Sequence, residues 1–389
     1  MRVLDVFWIF LKLGCTSFGG PVAHLGYFRE AFVTRRQWLT ESEFANTLAL
    51  CQFIPGPASS QVGAAIGYVR AGYAGAFMAW VGFTLPSAAL MTGFALSLVS
   101  LESSLIIPAV HALKLVAVVI VAHALWGMQQ SLCHTHYRKL WALACAAVLM
   151  FFSGVFTQFA LIVLGAVAGW LLLTPKQTPV TVSKFTLNWS SKFCLTAFSV
   201  LLAVTFITPA EHSLLDLCER LYRSGALVFG GGHVVLPLLY AEFVTTDWLN
   251  SDQFVAGYGA AQAIPGPLFT LSAFIGASVD SSTPIVFAAL ATVAIFLPGM
   301  LLLFAALPLW QVLQTKPVLQ GALAGVNVVV VGILGAILLN PLLKDALLHW
   351  TDAVFALIAI VAIIRFKLHP GWIIMSALVF TLTMVKLVP

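Results

Sequence analysis

Gln52-Phe53-Ile54-Pro55-Gly56-Pro57 returns later in the chain as Gln262-Ala263-Ile264-Pro265-Gly266-Pro267, a separation of 262 − 52 = 210 residues. Other landmarks keep nearly the same spacing. Phe18-Gly19-Gly20 pairs with Phe229-Gly230-Gly231 (229 − 18 = 211), Trp38-Leu39 with Trp248-Leu249 (248 − 38 = 210), and Leu85-Pro86 with Leu297-Pro298 (297 − 85 = 212). Landmarks in one order at a near-constant offset identify an internal duplication. Residues 1–173 are read as copy one and 212–389 as copy two, with 174–211 a linker and one apolar segment that has no counterpart.

The copies are written for lipid. Of 389 residues, 61% are hydrophobic and 8% are Asp, Glu, Lys or Arg, against roughly 25% charged in soluble domains. A crossing helix needs about 20 apolar residues. Ala74–Val99, Ile106–Gln129, Lys192–Thr208, Pro284–Leu307 and Pro317–Leu339 are read as spans, and Leu140–Phe152 with Phe156–Leu173 as a tighter pair. The expected fold class is an all-α polytopic membrane protein. Asp5 and Lys12, with no small-residue cleavage site after them, argue against a removable signal. The six cysteines show no metal spacing and are read as packing residues, so no metal site is expected. A formal charge of +5 sets topology and does not point to nucleic acid.

Gly19-Gly20-Pro21 separates the apolar arms Val3–Phe18 and Pro21–Val33, and Pro55-Gly56-Pro57 separates Glu41–Phe53 from Ala58–Arg70. Each arm is short for a full crossing. The pairs are therefore read as re-entrant helical hairpins, two in each copy, followed by about four transmembrane helices. The competing arrangement, in which Val3–Phe18 crosses fully, leaves the charge pattern of copy two wrongly oriented. Between its two motifs copy one carries Arg29, Arg35 and Arg36, whereas copy two carries Glu242, Asp247 and Asp252. Further on the signs exchange: the turns near Glu102 and Ser153-Gly154 lack basic residues, while their counterparts hold Lys316 and Arg365 with Lys367. Because Lys and Arg near span ends favour the cytoplasm, this pattern predicts inverted repeats. The segment Lys192–Thr208 is then the odd linking helix. The N-terminus and the basic linker (Lys176, Lys184, Lys192) are placed in the cytoplasm, and the C-terminus outside.

Irregular backbone at membrane depth must be buried in protein or line a wet cavity. Four broken tips predict one polar cavity, with helix starts near Pro21, Ala58, Gly232 and Leu268 aimed into it. Unpaired N–H groups and the positive dipole ends of helices favour an anion. The candidate substrate-binding residues of copy one are Lys12, Ser17, Gly19, Gly20, His24, Gln52, Pro55, Gly56, Pro57, Ser59, Ser60 and Gln61. Those of copy two are Arg223, Gly230, Gly231, His233, Gln262, Pro265, Gly266 and Pro267. Thr16, Thr270 and Ser272 add hydroxyls nearby; helix capping without a ligand is the other reading of all these hydroxyls. Lys12 and Arg223 align (223 − 12 = 211) and are read as a matched pair of cations facing the anion, or else as snorkelling side chains. Lys114, one turn after His111, either lies on the substrate path or pairs with an acid that the sequence does not identify. His24, His123 and His233 are proton carriers or hydrogen-bonded structural groups, and Glu41 and Glu43 are read as helix caps.

At F-G-G-P-x-A-H (18–24), F-x-x-R-R-x-W-L (32–39), C-Q-F-I-P-G-P-A-S-S-Q (51–61) and G-F-T-L-P-S (82–87) the chain resembles the chromate ion transporter family. Copy two agrees through F-G-G-G-H-V-V-L-P (229–237) and Y-G-A-A-Q-A-I-P-G-P (258–267). The resemblance covers nearly the whole chain and matches the long, two-domain form. It implies export of chromate across the bacterial inner membrane, giving resistance, with the proton motive force as energy source. The expected partners are chromate or a sulfate-like oxyanion, the lipid bilayer and a coupling proton, with a homodimer left open. No Walker A pattern and no cofactor motif occurs, so neither an ATP-driven pump nor an enzyme is expected. Transport of sulfate or another oxyanion, and an anion channel, are the alternatives.

Overall fold

The helices stop where the sequence supplies a reason to stop. In the computed structural model, which describes residues 2–100, 103–152, 154–174, 188–206, 213–229, 234–280, 282–309, 317–366, 368 and 370–387, helix α1 (Arg2–Thr16) ends just before Gly19 (φ 96°) and Gly20 (φ 75°). These left-handed angles suit residues without a Cβ. Pro21 then sits in the first turn of α2 (Gly20–Arg29), which a π-helical stretch, Glu30–Arg35, prolongs. Thr40 opens α3 (Glu41–Phe53) with a reciprocal cap: its hydroxyl accepts from the Glu43 N–H, and the Glu43 carboxylate accepts from the Thr40 N–H at 2.8 Å. After the turn at Gly56 (φ 126°) comes α4 (Ala58–Ser100), broken at Ala71 and Gly72 between the expected arm and the expected span. Helices α5 (Ser103–Leu132), α6 (His136–Phe151) and α7 (Val155–Leu173) complete copy one.

Helix α8 (Trp189–Val204) stands alone between the copies. The same order then repeats: α9 (Leu214–Ala226), α10 (Val235–Phe243), α11 (Ser251–Ala263), a short 3₁₀ turn (Leu268–Thr270) leading into α12 (Leu271–Val279), and α13 (Pro284–Ala306). Helix α14 (Pro317–Ile337) is followed by the segments Leu338–Leu342 and Leu343–Ala346, with a break in the helical backbone at Asn340 before Pro341, and α15 (Trp350–Phe366) and α16 (Pro370–Leu387) come last among the described helices. No strand occurs among the described residues. Among the described residues, five helical stretches are long and apolar enough to cross a membrane: Ala58–Leu98, Pro108–Leu132, Phe156–Leu173, Pro284–Ala306 and Pro317–Ala346. Phe151, Leu171, Leu172, Ile285, Leu357 and Trp372 are 64–84% exposed, a surface suited to acyl chains. The chain is an all-α polytopic membrane protein.

The duplication extends to backbone detail. Among the described residues two non-glycine positions have positive φ, Gln37 (51°) and Asp247 (59°), and they lie 210 residues apart. Each precedes a tryptophan whose N–H reaches back to a phenylalanine carbonyl, Trp38 to Phe32 at 2.8 Å and Trp248 to Phe243 at 3.0 Å. A Cβ on Gly14 would stand 2.7 Å from the Phe83 carbonyl oxygen, and one on its counterpart Gly225 would stand 2.1 Å from that of Ile295. The first helix of each hairpin pair thus lies backbone-to-backbone on the first long span of its own copy, a small-residue contact typical of helices in lipid.

Two of the acids used to mark an outer face have another explanation. Glu242 is 2% exposed and ion-paired to Arg223, and Asp252 is ion-paired to Lys114, so both are in place for charge pairing. Exposed Arg29, Arg35 and Arg36 remain as topology markers in copy one. Lys176, Lys184, Thr208, Lys316, Lys367 and Pro389, and the turn at Glu102, lie outside the described residues.

Candidate functional site

Each tip of one copy is bound to a tip of the other. The Gly56 N–H donates to the Val228 carbonyl at 2.8 Å, and the Gly266 N–H donates to the Ser17 carbonyl at 3.0 Å. Gly56 and Gly266 are equivalents, as are Ser17 and Val228 (228 − 17 = 211). The contact is therefore reciprocal, as a two-fold relation between the copies requires. Positive φ at Gly56 (126°) and Gly266 (105°) turns these N–H groups across the junction. The flanking spans complete the pattern. A Cβ on Gly56 would meet Gly299 Cα at 2.9 Å, and one on Gly266 would meet Ser87 Oγ at 2.6 Å. Gly299 and Ser87 are again equivalents (299 − 87 = 212).

Around this junction the polar side chains divide into supports and free ends. His24, 1% exposed, donates from Nε2 to the Ser17 carbonyl at 3.2 Å and faces Ser59 Oγ across 3.5 Å from Nδ1. It ties the first hairpin to the second. Gln61, fully buried, donates from Nε2 to the carbonyls of Pro55 and Gly299, both at 2.9 Å. It was expected to donate to the anion; its amide hydrogens instead hold the tip, leaving Oε1, an acceptor, without a partner. Ser17, Ser60, Thr84 and Ser272 are 0–3% exposed, and among the described residues their hydroxyls have no hydrogen-bond partner. Buried hydroxyls in native proteins are generally satisfied. The Gly56 and Gly266 N–H groups are taken up by the junction, so the donors left to a ligand that accepts hydrogen bonds are these hydroxyls.

The other expected residues are placed as follows. Pro55 is half-buried, and Pro57, Pro265 and Pro267 are buried at the tips; Gln52 is exposed and Gln262 half-buried, each in the last turn before its tip. Gly19 is exposed and Gly20 half-buried at the start of α2. Thr16 and Thr270 turn their hydroxyls back to the carbonyls of Lys12 and Pro267, at 2.8 Å each. His123 is exposed on α5. Gly230, Gly231, Gly232 and His233 lie outside the described residues.

The matched pair of free cations is not found. Arg223 is held by Glu242 in a two-toothed pair (Nε–Oε1 2.5 Å, Nη2–Oε2 2.7 Å) and also donates to the Thr205 carbonyl at 2.6 Å. Its helix carries Asp216, Glu219 and Arg220 as well, and Arg220 pairs with Asp216 at 2.8 Å. Copy one has Ala31 where copy two has Glu242 (242 − 211 = 31). Lys12 accordingly stands exposed on α1 and makes no ion pair among the described residues. The acid that the sequence left unidentified for Lys114 is Asp252, while His111 lies 3.3 Å from Asp352. Of the two acids read as caps, Glu43 closes the α3 capping box, and Glu41 takes Arg29 at 2.7 Å.

Thr84, Ser87 and Gly299 were not singled out as site residues. The signal was present: Leu85-Pro86 and Leu297-Pro298 are repeat landmarks, and the residues flanking them share the duplicated position.

A family model described as Chromate transporter matches residues 4–170 and again 215–382. An uncharacterised transporter of Methanocaldococcus jannaschii is 26% identical over 86% of the chain and 83% of that protein. A probable chromate transport protein of Synechococcus elongatus is 29% identical over 84% of the chain and 82% of its own length. A chromate transport protein of Cupriavidus metallidurans is 28% identical over 92% and 87%. No solved structure matches the chain. With both halves matched by one family model and the relatives covered over most of their length, the chain belongs to the chromate transporter family.

Proposed function

We propose that the chain is a secondary carrier that exports chromate from the cytoplasm across the bacterial inner membrane, driven by the proton motive force, and that the oxyanion binds where the hairpin tips of two inverted repeats meet. Copy one (1–173) and copy two (212–389) would then expose opposite faces to the cytoplasm, joined by the linker and helix of 174–211. The observation that carries this reading is the reciprocal junction: Gly56 bonded to Val228, Gly266 bonded to Ser17, and the unpartnered hydroxyls of Ser17, Ser60 and Thr84. A tetrahedral dianion accepts hydrogen bonds in every direction, and bonds to a charged acceptor are about twice as strong as neutral ones. Each of those hydroxyls can give one hydrogen bond to such an acceptor.

The revised charge distribution gives Lys12 a distinct place. Arg223 is neutralised within copy two, so the exposed ammonium of Lys12 is the cation of the matched pair that remains available to an incoming anion. It acts on approach, by raising the local anion concentration, and the buried hydroxyls act at the bound site. Nothing in the described residues gathers three or more His, Cys, Asp or Glu for metal chemistry. The test is radiochromate uptake into inverted membrane vesicles, with and without an uncoupler and with sulfate as competitor. Saturable uptake that the uncoupler abolishes supports the carrier. Uptake that does not saturate and ignores the uncoupler supports a channel, and equal competition by sulfate makes the site a general oxyanion site.

A further inference from the structure

Equivalent helices of the two copies differ in their surroundings. Along α3, Ser42, Ala45, Asn46, Ala49 and Gln52 form one exposed face. The positions 210 residues later on α11 are Asp252, Val255, Ala256, Gly259 and Gln262. There Val255 and Ala256 are 1% and 0% exposed, and Gly259 is buried so tightly that a Cβ would stand 2.6 Å from the Leu113 carbonyl oxygen of α5. Thus α11 is closed against α5 and α3 is open. The exposed face of α3 is small and polar, unlike the leucine- and phenylalanine-rich surface suited to lipid, and it ends at Gln52, one turn from the Pro55-Gly56-Pro57 tip.

The closed side has a fastening that the open side cannot copy. At the start of α11, Asp252 takes the ammonium of Lys114 from α5, and the neighbouring Ser251 hydroxyl donates to Asp345 at 2.5 Å. The residues of copy one and copy two at the matching places are Ser42 for Asp252 and, at an offset of 209 set by Pro108 and Pro317, Leu323 for Lys114. Serine and leucine form no ion pair.

We infer that the structure shows one of two states of the carrier, open on the α3 side and closed on the α11 side, and that the Lys114–Asp252 pair is a one-sided latch that breaks whenever the α11 side opens. This inference rests on the carrier reading. Two similar copies can exchange their arrangements, so that α11 comes away from α5 while the face of α3 becomes covered. Since the latch exists on one side only, it biases the unloaded protein toward the state open at α3. The ammonium is 10% exposed and the Asp252 carboxylate 63% exposed, so the pair sits at the rim of the α5–α11 contact, where its attraction holds the α11 side shut and weakens as salt is added.

The test uses full-length protein with its native cysteines replaced, reconstituted without chromate, and an impermeant cationic thiol reagent applied from either side. With the latch intact, Asn46→Cys should react from one side and Ala256→Cys should be protected. Adding Asp252→Asn should raise the rate at Ala256→Cys severalfold, from the opposite side, and slow the reaction at Asn46→Cys. Exchanging the charges, Lys114→Asp with Asp252→Lys, should restore protection, which mere loosening of the fold would not. The inference is overturned if Ala256→Cys stays protected in Asp252→Asn, if it reacts from the same side as Asn46→Cys, or if Asn46→Cys never reacts and instead cross-links two copies of the chain. Because no chromate is present, a failure here leaves the transport reading untouched, and a failure of chromate uptake leaves the labelling result standing.

Discussion

Adding one methyl group at Gly56 should disable the junction without unfolding the protein. Gly56 has φ 126°, and a Cβ there would lie 2.9 Å from Gly299 Cα and 2.7 Å from Gln61 Nε2. The first contact is with backbone of the other copy, which cannot swing aside. Holding a non-glycine residue in such a conformation costs about 1–3 kcal/mol. Separating the copies to relieve the contact also loses the Gly56–Val228 hydrogen bond, worth about 0.5–1.5 kcal/mol. Gly56→Ala should therefore destabilise the formed junction by roughly 1.5–4.5 kcal/mol, about a tenfold to thousandfold loss in its population at 1.4 kcal/mol per decade. The assay is chromate uptake into inverted vesicles at matched protein level, with elution as a single species in detergent as the check on folding. Gly72→Ala is the control: its φ is 63°, but a Cβ there meets nothing within 4 Å, and it lies at the far end of the hairpin arm. The reasoning is refuted if Gly56→Ala transports chromate with an unchanged half-saturating concentration, or if Gly72→Ala fails as completely.

Three further outcomes follow from the same geometry. Ser17→Ala and Ser60→Ala each remove a buried hydroxyl that has no partner, so thermal stability in detergent should hold or rise slightly, while the half-saturating chromate concentration should increase about tenfold to hundredfold each through loss of a charge-assisted hydrogen bond of about 1.5–3 kcal/mol; unchanged affinity in both would remove the hydroxyls from the site. Lys12→Gln should raise that concentration at low salt more than Lys12→Arg does, with the difference shrinking as salt screens the exposed charge, whereas Glu242→Gln, which leaves half-buried Arg223 without its counter-charge, should show up as a loss of folding stability of up to about 3 kcal/mol. Arg35→Cys and Asp247→Cys, probed with an impermeant thiol reagent in a cysteine-free background, should label from opposite sides of the membrane, and labelling from the same side would end the inverted-repeat reading.

The parts of this account readable from sequence are those that act locally. Proline and glycine stop helices through their own backbone, so the tips at Pro55–Pro57 and Pro265–Pro267 and the break before α2 could be placed from residue type alone. The duplication was readable because those punctuating residues recur at one offset. Partners in space were not readable. Lys114 and Asp252 are 138 positions apart, and only the packing of α11 on α5 brings them together. Arg223 and Glu242 lie 19 positions apart on different helices, α9 and α10, so a cation without a partner in the sequence pattern is committed in the fold. Ser87 had the same fate: it lies within a motif, but its place against Gly266 exists only once the two copies meet.

The most direct test of the central claim is to locate the anion itself. Crystals of the protein soaked in chromate, with diffraction recorded at the chromium absorption edge, should show an anomalous peak at the junction of the tips, within hydrogen-bonding distance of the Ser17 and Ser60 hydroxyls. A peak elsewhere with the junction empty, for example between Lys114 and Asp252, would contradict the account.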